Sequence, residues 1–138
     1  MGKEIIEILK KDYWGEYFGR IWYMWLERLF FDRELKAQFK ELSEREKEQA
    51  TLIKNELKKY NVDIIVDRPP LAFLAFILAL FSFLIPKGLF LRMSTGLFER
   101  FIHVLKEQEK RFGSTNPELF SGLVKHEEYQ YECFKKFR

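Results

Sequence analysis

Residues 35–60, "LKAQFKELSEREKEQATLIKNELKKY", contain the pattern that decides the fold. Apolar and aromatic side chains recur there at steps of three and four, which predicts one face of an α-helix. Glu46 and Gln49 lie on the same face. A carboxylate buried without compensation is costly, so this helix is predicted to carry a polar site in line with its core. The apolar and aromatic members of the face are Leu35, Phe39, Leu42, Ile53, Leu57 and Tyr60.

The end of the chain repeats this arrangement in pattern, though not in sequence identity. Glu127 and Gln130 are again three residues apart within an apolar helical face. Two independent Glu-x-x-Gln pairs in core phase indicate that something compensates the buried carboxylates. The other members of this second face are Leu119, Leu123, Phe134 and Phe137.

Helical spacing and end signals predict an all-α protein. Asp32 is placed to end one helix and cap the next, and Asn116, followed by Pro117, is a strong helix start. Gly113, after two basic residues, is a natural C′ residue. The chain has 138 residues, which fits a single domain over residues 1–138. The predicted helices span 3–31, 33–60, 71–85, 87–112 and 117–137, with a connector at 61–70.

Composition excludes several classes of protein. The net charge is +3, with charges of both signs interspersed, so the basic stripe of a nucleic-acid-binding protein is missing. The single Cys133 cannot form an internal disulfide. The N-terminal residues are too charged for a signal peptide, which favours a cytoplasmic protein. Scarce Asn and Gln beside abundant Lys and Glu are typical of thermophiles.

A metal site is one compensation that the carboxylates could have. Helical bundles hold di-iron and di-manganese centres with glutamates that project inward from each helix. Glu16 lies on the apolar face of the first helix, where Gly19 one turn later admits close packing, and Glu99 lies at the edge of the apolar face of the fourth. The alternative is that each glutamate reaches water or pairs with a basic side chain. The candidate set is Glu16, Glu46, Glu99, Glu127, Gln49 and Gln130.

Several segments resemble the demethoxyubiquinone hydroxylase family, and the resemblance covers residues 12–134. It implies a ferritin-like four-helix bundle with an additional apolar helix in the long crossover. It also implies a two-iron or two-manganese oxidoreductase that hydroxylates the ring of a lipophilic quinone at a membrane surface. The segments are "GEYFGRIWY" (15–23), "EREKEQATLIKNELKKYNV" (44–62), "LFERFI" (97–102) and "KHEEYQYE" (125–132).

The resemblance assigns metal binding to Glu16, Glu46, Glu99 and Glu127. Gln49 and Gln130 stand where the family has metal-binding histidines, so they are expected to be weak ligands or hydrogen-bond partners that orient the carboxylates. An all-oxygen site suits Mn, Mg or Ca better than iron. His103 and His126 are the only histidines, and each is expected at a surface or interface rather than on a metal.

The segment "LAFLAFILALFSFLI", residues 71–85, is apolar on all sides. As a helix it would be about 22 Å long, which is short of the roughly 30 Å hydrocarbon core of a bilayer. It is predicted either to lie on a lipid surface, making the protein peripheral at the inner face of the membrane, or to cover a homodimer interface. The aromatic residues assigned to this surface are Phe73, Phe76, Phe81 and Phe83.

Two other functions remain open on sequence grounds. One is a non-catalytic ferritin-like scaffold with a metal-free Glu/Gln core, whose apolar helix binds a partner or lipid. The other is metal storage or sensing, in which case the site binds metal without acting on a lipophilic molecule.

Overall fold

A computed structural model describes residues 2–65 and 67–138, and these residues form five α-helices and no strand. The predicted all-α class is confirmed. Met1, and Val66 of the predicted connector, lie outside the described residues. The helices are α1 (Gly2–Leu29), α2 (Arg33–Lys58), α3 (Pro69–Leu84), α4 (Lys87–Phe112) and α5 (Pro117–Phe137).

Helix starts follow the predicted caps. The Asp32 carboxylate accepts a hydrogen bond from the Leu35 N–H at 3.1 Å. The Asn116 side chain accepts one from the Leu119 N–H at the same distance, with Pro117 in the first turn of α5. Each cap satisfies a backbone N–H that has no partner within its own helix.

Helix ends differ in their chemistry. Asn61 has a φ of 60°, and the hydrogen bonds Val62 N–H to Leu57 O and Asn61 N–H to Lys58 O close a Schellman motif after α2. Gly113 follows α4 as predicted, but it is not in the left-handed conformation of a C′ glycine. Its φ is −58°, and its N–H continues the helical pattern to Glu109 O.

The chain divides into two compact units, Met1–Phe83 and Leu84–Arg138. In the first unit α1 and α2 form an antiparallel hairpin. The Ser43 hydroxyl donates to the Arg20 carbonyl at 3.1 Å, and the Tyr23 and Phe39 rings stack at 6.2 Å. The single domain over residues 1–138 remains a prediction.

The apolar helix α3 belongs to the first unit. Its small residues Ala75 and Ala79 are buried. Phe76 packs edge-on against Trp25 at 4.7 Å, and Phe83 against Phe30 at 5.7 Å. Of the four phenylalanines assigned to an outer surface, Phe76 and Phe83 are half-buried, whereas Phe73 and Phe81 are exposed. Among the described residues, no helix is long and apolar enough to cross a membrane.

The second unit is the hairpin of α4 and α5. The Phe134 ring contacts Phe98 at 4.9 Å and Phe90 at 5.7 Å. The Arg138 guanidinium donates to the Thr95 hydroxyl at 3.1 Å, which holds the chain end against α4. The opposite face of α4 is exposed over most of its length.

Candidate metal centre

Glu16 of α1 and Glu46 of α2 lie side by side inside the first unit. The exposed fraction of Glu16 is 7% and that of Glu46 is 4%. A carboxylate oxygen of one lies within 4.8 Å of an oxygen of the other. Their helical phase predicted this burial, since both occupy the face of their helix that forms the α1–α2 contact. Two close, buried carboxylates are suited to share a cation.

Gly19 makes room for the Glu46 carboxylate. A Cβ atom at position 19 would lie 2.8 Å from Glu46 Oε1 and 2.9 Å from its Cδ. The close packing expected at Gly19 is therefore confirmed, and its partner is the carboxylate of the opposite helix. The absent side chain leaves a cradle on α1 that holds Glu46 next to the turn containing Glu16.

Gln49 lies one turn after Glu46 and is half-buried. Its carbonyl oxygen, Oε1, is buried and accepts no hydrogen bond from any residue that the structure describes. A buried amide oxygen without a hydrogen bond is a neutral oxygen ligand of the kind that hard cations bind. Gln49 therefore has an amide group one turn from Glu46 whose oxygen is free of hydrogen bonds from the described residues.

The second Glu-x-x-Gln pair, in the other unit, behaves differently. Glu127 and Gln130 are both buried, and the Gln130 amide donates to Glu127 Oε2 at 2.9 Å. Gln130 therefore orients a carboxylate and provides part of the compensation that burial requires. The two glutamine positions, alike in sequence pattern, have different chemistry in the structure.

Histidine placement departs from the sequence analysis. His126 was expected at a surface or interface because it points away from Glu127 on α5, but its exposed fraction is 1%. The physical reason is that α5 buries a wide arc, including Phe120, Val124 and Cys133, so residues outside the predicted face are also covered. His103 is exposed on α4, as is Glu99.

Glu16 and Glu46 are thus two buried residues of the first unit, and each could offer a carboxylate oxygen to a metal ion. Burial matters here because a dry carboxylate or imidazole binds a cation without competition from bulk water. Glu99, the fourth glutamate of the predicted set, lacks this property.

Two tyrosines beside Glu16 were missed by the sequence analysis. The Tyr17 hydroxyl donates to Asp67 Oδ1 at 3.0 Å and accepts from the Arg68 N–H at 3.2 Å, which ties the residues before α3 to α1. Burial raises the pKa of the Tyr13 phenol from its usual 10.0, partly opposed by the positive charge of Arg20. The available signal was the spacing of four residues between Tyr13 and Tyr17, which places the two tyrosines along one edge of the helix.

Not every buried carboxylate of the chain has the environment of this pair. Glu56, also on α2, is only 4% exposed, yet its carboxylate forms an ion pair with Lys59 at 3.0 Å. Its carboxylate is paired with the residue that follows α2. Glu16 and Glu46 lie beside each other and beside the open space at Gly19, and two carboxylates in this arrangement suit a hard or borderline divalent cation.

The chain matches no protein-family model, no characterised protein and no solved structure. The arrangement of its own side chains therefore carries the functional argument.

Proposed function

We propose that this chain is a carboxylate metalloprotein in which Glu16 and Glu46 bind a divalent cation. The observation that carries the proposal is the pair of buried carboxylates within 4.8 Å of each other. The cradle at Gly19 supports it, because the close approach of α1 and α2 places Glu46 next to Glu16.

Each helical pair contributes different candidates. In α1 and α2 the ligands are Glu16, Glu46 and the Gln49 carbonyl oxygen. In the second unit, α5 carries separate candidates, which are Glu127, held by Gln130, and the buried imidazole of His126. The carboxylate and amide oxygens of α1 and α2 favour Mn over Fe.

The activity that we propose is oxidoreductase chemistry on a lipophilic, quinone-like molecule. Bound Fe or Mn would supply the redox chemistry that the side chains lack. The resemblance of residues 12–134 to demethoxyubiquinone hydroxylases supports this assignment. The exposed Phe73 and Phe81 of α3 support contact with an apolar substrate or a lipid surface.

One observation favours the metal-free scaffold as a second candidate. The Gln130–Glu127 hydrogen bond satisfies one carboxylate oxygen without a cation. If hydrogen bonds of this kind satisfied every buried carboxylate, the chain would be a metal-free helical scaffold without redox chemistry.

Metal content of the purified protein separates the two candidates. Protein prepared without chelator or affinity tag would be loaded anaerobically with Fe(II) or Mn(II) and measured by mass spectrometry. We expect at least one bound ion per chain and loss of that ion in Glu46→Gln. Glu56→Gln is the matched control, because it removes a buried carboxylate from the same helix outside the site, and it should bind metal as the native chain does.

Replacement of the glutamines tests the redox part of the proposal. Gln49→His and Gln130→His would add the imidazole ligands that the resemblance implies, and we expect tighter Fe(II) binding and faster oxygen consumption with a quinol substrate. If neither the native chain nor the double variant binds metal under any loading, the metalloprotein proposal fails and the scaffold stands.

A further inference from the structure

The exposed face of α4 carries an apolar stripe that nothing within its own unit covers. Its five side chains have exposed fractions between 42% and 55%. They recur at steps of three and four, so they run along one side of a helix whose opposite side packs on α5. The members of the stripe are Leu89, Met93, Leu97, Phe101 and Val104.

The middle of this face has a shallow, open depression. Its lining includes Gly96, Arg92, Glu99 and His103. A Cβ atom at Gly96 would meet no heavy atom within 4 Å. Glycine inside a helix costs about 1 kcal/mol relative to alanine. The open space shows that the fold of the chain itself does not require glycine here, so close approach of another helix is a reason to keep it.

Two charged residues of opposite sign lie beside the stripe, one on each side of Gly96 along the helix. Arg92 precedes Gly96 by four residues and Glu99 follows it by three, on the same flank of the helix. A second α4 running parallel would place this flank of the two copies on opposite sides of the contact, so Arg92 would not meet the partner's Glu99. A second α4 running antiparallel would place Arg92 beside the partner's Glu99, and the reverse pair would form by symmetry.

We infer that α4 packs antiparallel against α4 of a second copy of this chain, with the two-fold axis passing between Gly96 and Leu97. Leu89 then lies opposite the partner's Val104, at both ends of the contact. Near the axis the two glycines let the helix backbones approach closely, and Leu97 lies beside the partner's Leu97.

The contact is short, which sets the expected strength of the dimer. From Leu89 to Val104 the helix rises about 22 Å. One helical seam of this length is smaller than a standard protein interface, so we expect reversible association at micromolar concentrations rather than a permanent dimer. The inference is independent of metal binding, because none of the residues on the axis belongs to the carboxylate pair.

Sedimentation equilibrium of the full chain, from about 1 to 500 µM to bracket that affinity, tests the association. We expect a monomer–dimer equilibrium that Gly96→Leu weakens at least tenfold, because a side chain at the axis separates the helices. Gly15→Leu is the matched control, since Gly15 is an exposed helical glycine with equally open surroundings. It should leave the equilibrium unchanged.

Single cysteines test the direction of the helices. In a Cys133→Ser background, Leu97→Cys should form a disulfide-linked dimer under mild oxidation. Leu89→Cys should not, because in the antiparallel arrangement its counterpart is about 22 Å away along the axis. A parallel arrangement would link both variants, which would overturn the proposed geometry.

A charge exchange completes the test. Arg92→Glu alone and Glu99→Arg alone should each weaken the dimer, and the double variant should recover most of the loss. A chain that is monomeric at every concentration would overturn the inference. So would a dimer that Gly96→Leu leaves intact and Phe81→Glu abolishes, or a monomer that floats with phosphatidylglycerol vesicles through Leu97 and Phe101.

Discussion

The carboxylate of Glu46 occupies the space in which a side chain at position 19 would begin. A Cβ atom on Gly19 would stand 2.8 Å from Glu46 Oε1. This single contact explains both a glycine in the middle of α1 and the position of a buried charge on α2.

Gly19→Ala should separate metal affinity from stability. The added methyl group displaces the end of a flexible side chain, which is a small cost, and alanine favours the helix by about 1 kcal/mol. We expect the apoprotein to be as stable as the native chain, whereas affinity for Mn(II) falls ~10–100-fold because Glu46 no longer faces Glu16. Calorimetric titration and urea unfolding would measure the two effects.

The control for this prediction is Gly15→Ala, where nothing lies within 4 Å of the new Cβ atom. It should raise the free energy of unfolding by about 0.5–1 kcal/mol and leave metal affinity unchanged. If Gly19→Ala and Gly15→Ala bound Mn(II) equally tightly, the open space at Gly19 would have no role in metal binding.

Gln130→Leu should destabilise the second unit. It keeps the volume of the side chain but removes the donor 2.9 Å from Glu127 Oε2. We expect a loss of about 1–3 kcal/mol, the cost of leaving a buried polar group with one bond fewer. Gln130→Glu would add a second buried carboxylate and should cost more at neutral pH than at pH 4. An unfolding curve that either variant leaves unchanged would show that Glu127 does not depend on this bond.

Tyr17→Phe should loosen the chain between α2 and α3. The hydroxyl group makes two hydrogen bonds, to Asp67 and from Arg68, and their removal should lower the free energy of unfolding by about 1–2 kcal/mol. Limited proteolysis should then cleave near residues 61–68 faster. Tyr60→Phe is the control, because the Tyr60 hydroxyl makes no hydrogen bond in the part of the chain described by the structure. If Tyr17→Phe and the native chain were cleaved at the same rate, the Tyr17 hydrogen bonds would not hold this segment in place.

The burial of the Tyr13 phenol leads us to expect that the folded chain loses stability in alkaline solution. Its pKa is raised above 10.0 by burial, so the folded chain keeps a proton that the unfolded chain has already released. The stabilisation is complete below pH 10 and is lost as the pH rises from there through the raised pKa. Urea unfolding between about pH 8 and 11 should show this decline, and Tyr13→Phe should make it shallower. An identical slope in the variant would mean that other groups cause the decline.

Helix boundaries could be predicted from the sequence because they depend on neighbours in the chain. Asp32, Asn116 and Pro117 act within one turn of their own helix, and each does what its residue type predicts. The burial of Glu16, Glu46, Glu127 and Gln130 also followed from spacing, since a residue in phase with an apolar face is carried inward with it.

Tertiary contacts determined the burial of the remaining candidate residues and the partners of their side chains. His126 is out of phase with the predicted face of α5 but is buried, because a helix covered over a wide arc buries more than its most apolar line. Glu99 was grouped with the core glutamates and is exposed, since it lay at the edge of its apolar face, where small rotations of a helix decide between core and solvent. The two glutamines look alike in sequence, but Gln130 donates to Glu127 and the Gln49 oxygen accepts no bond from any described residue. Periodicity is a property of one helix and determines which way a residue points; only packing determines what it meets there.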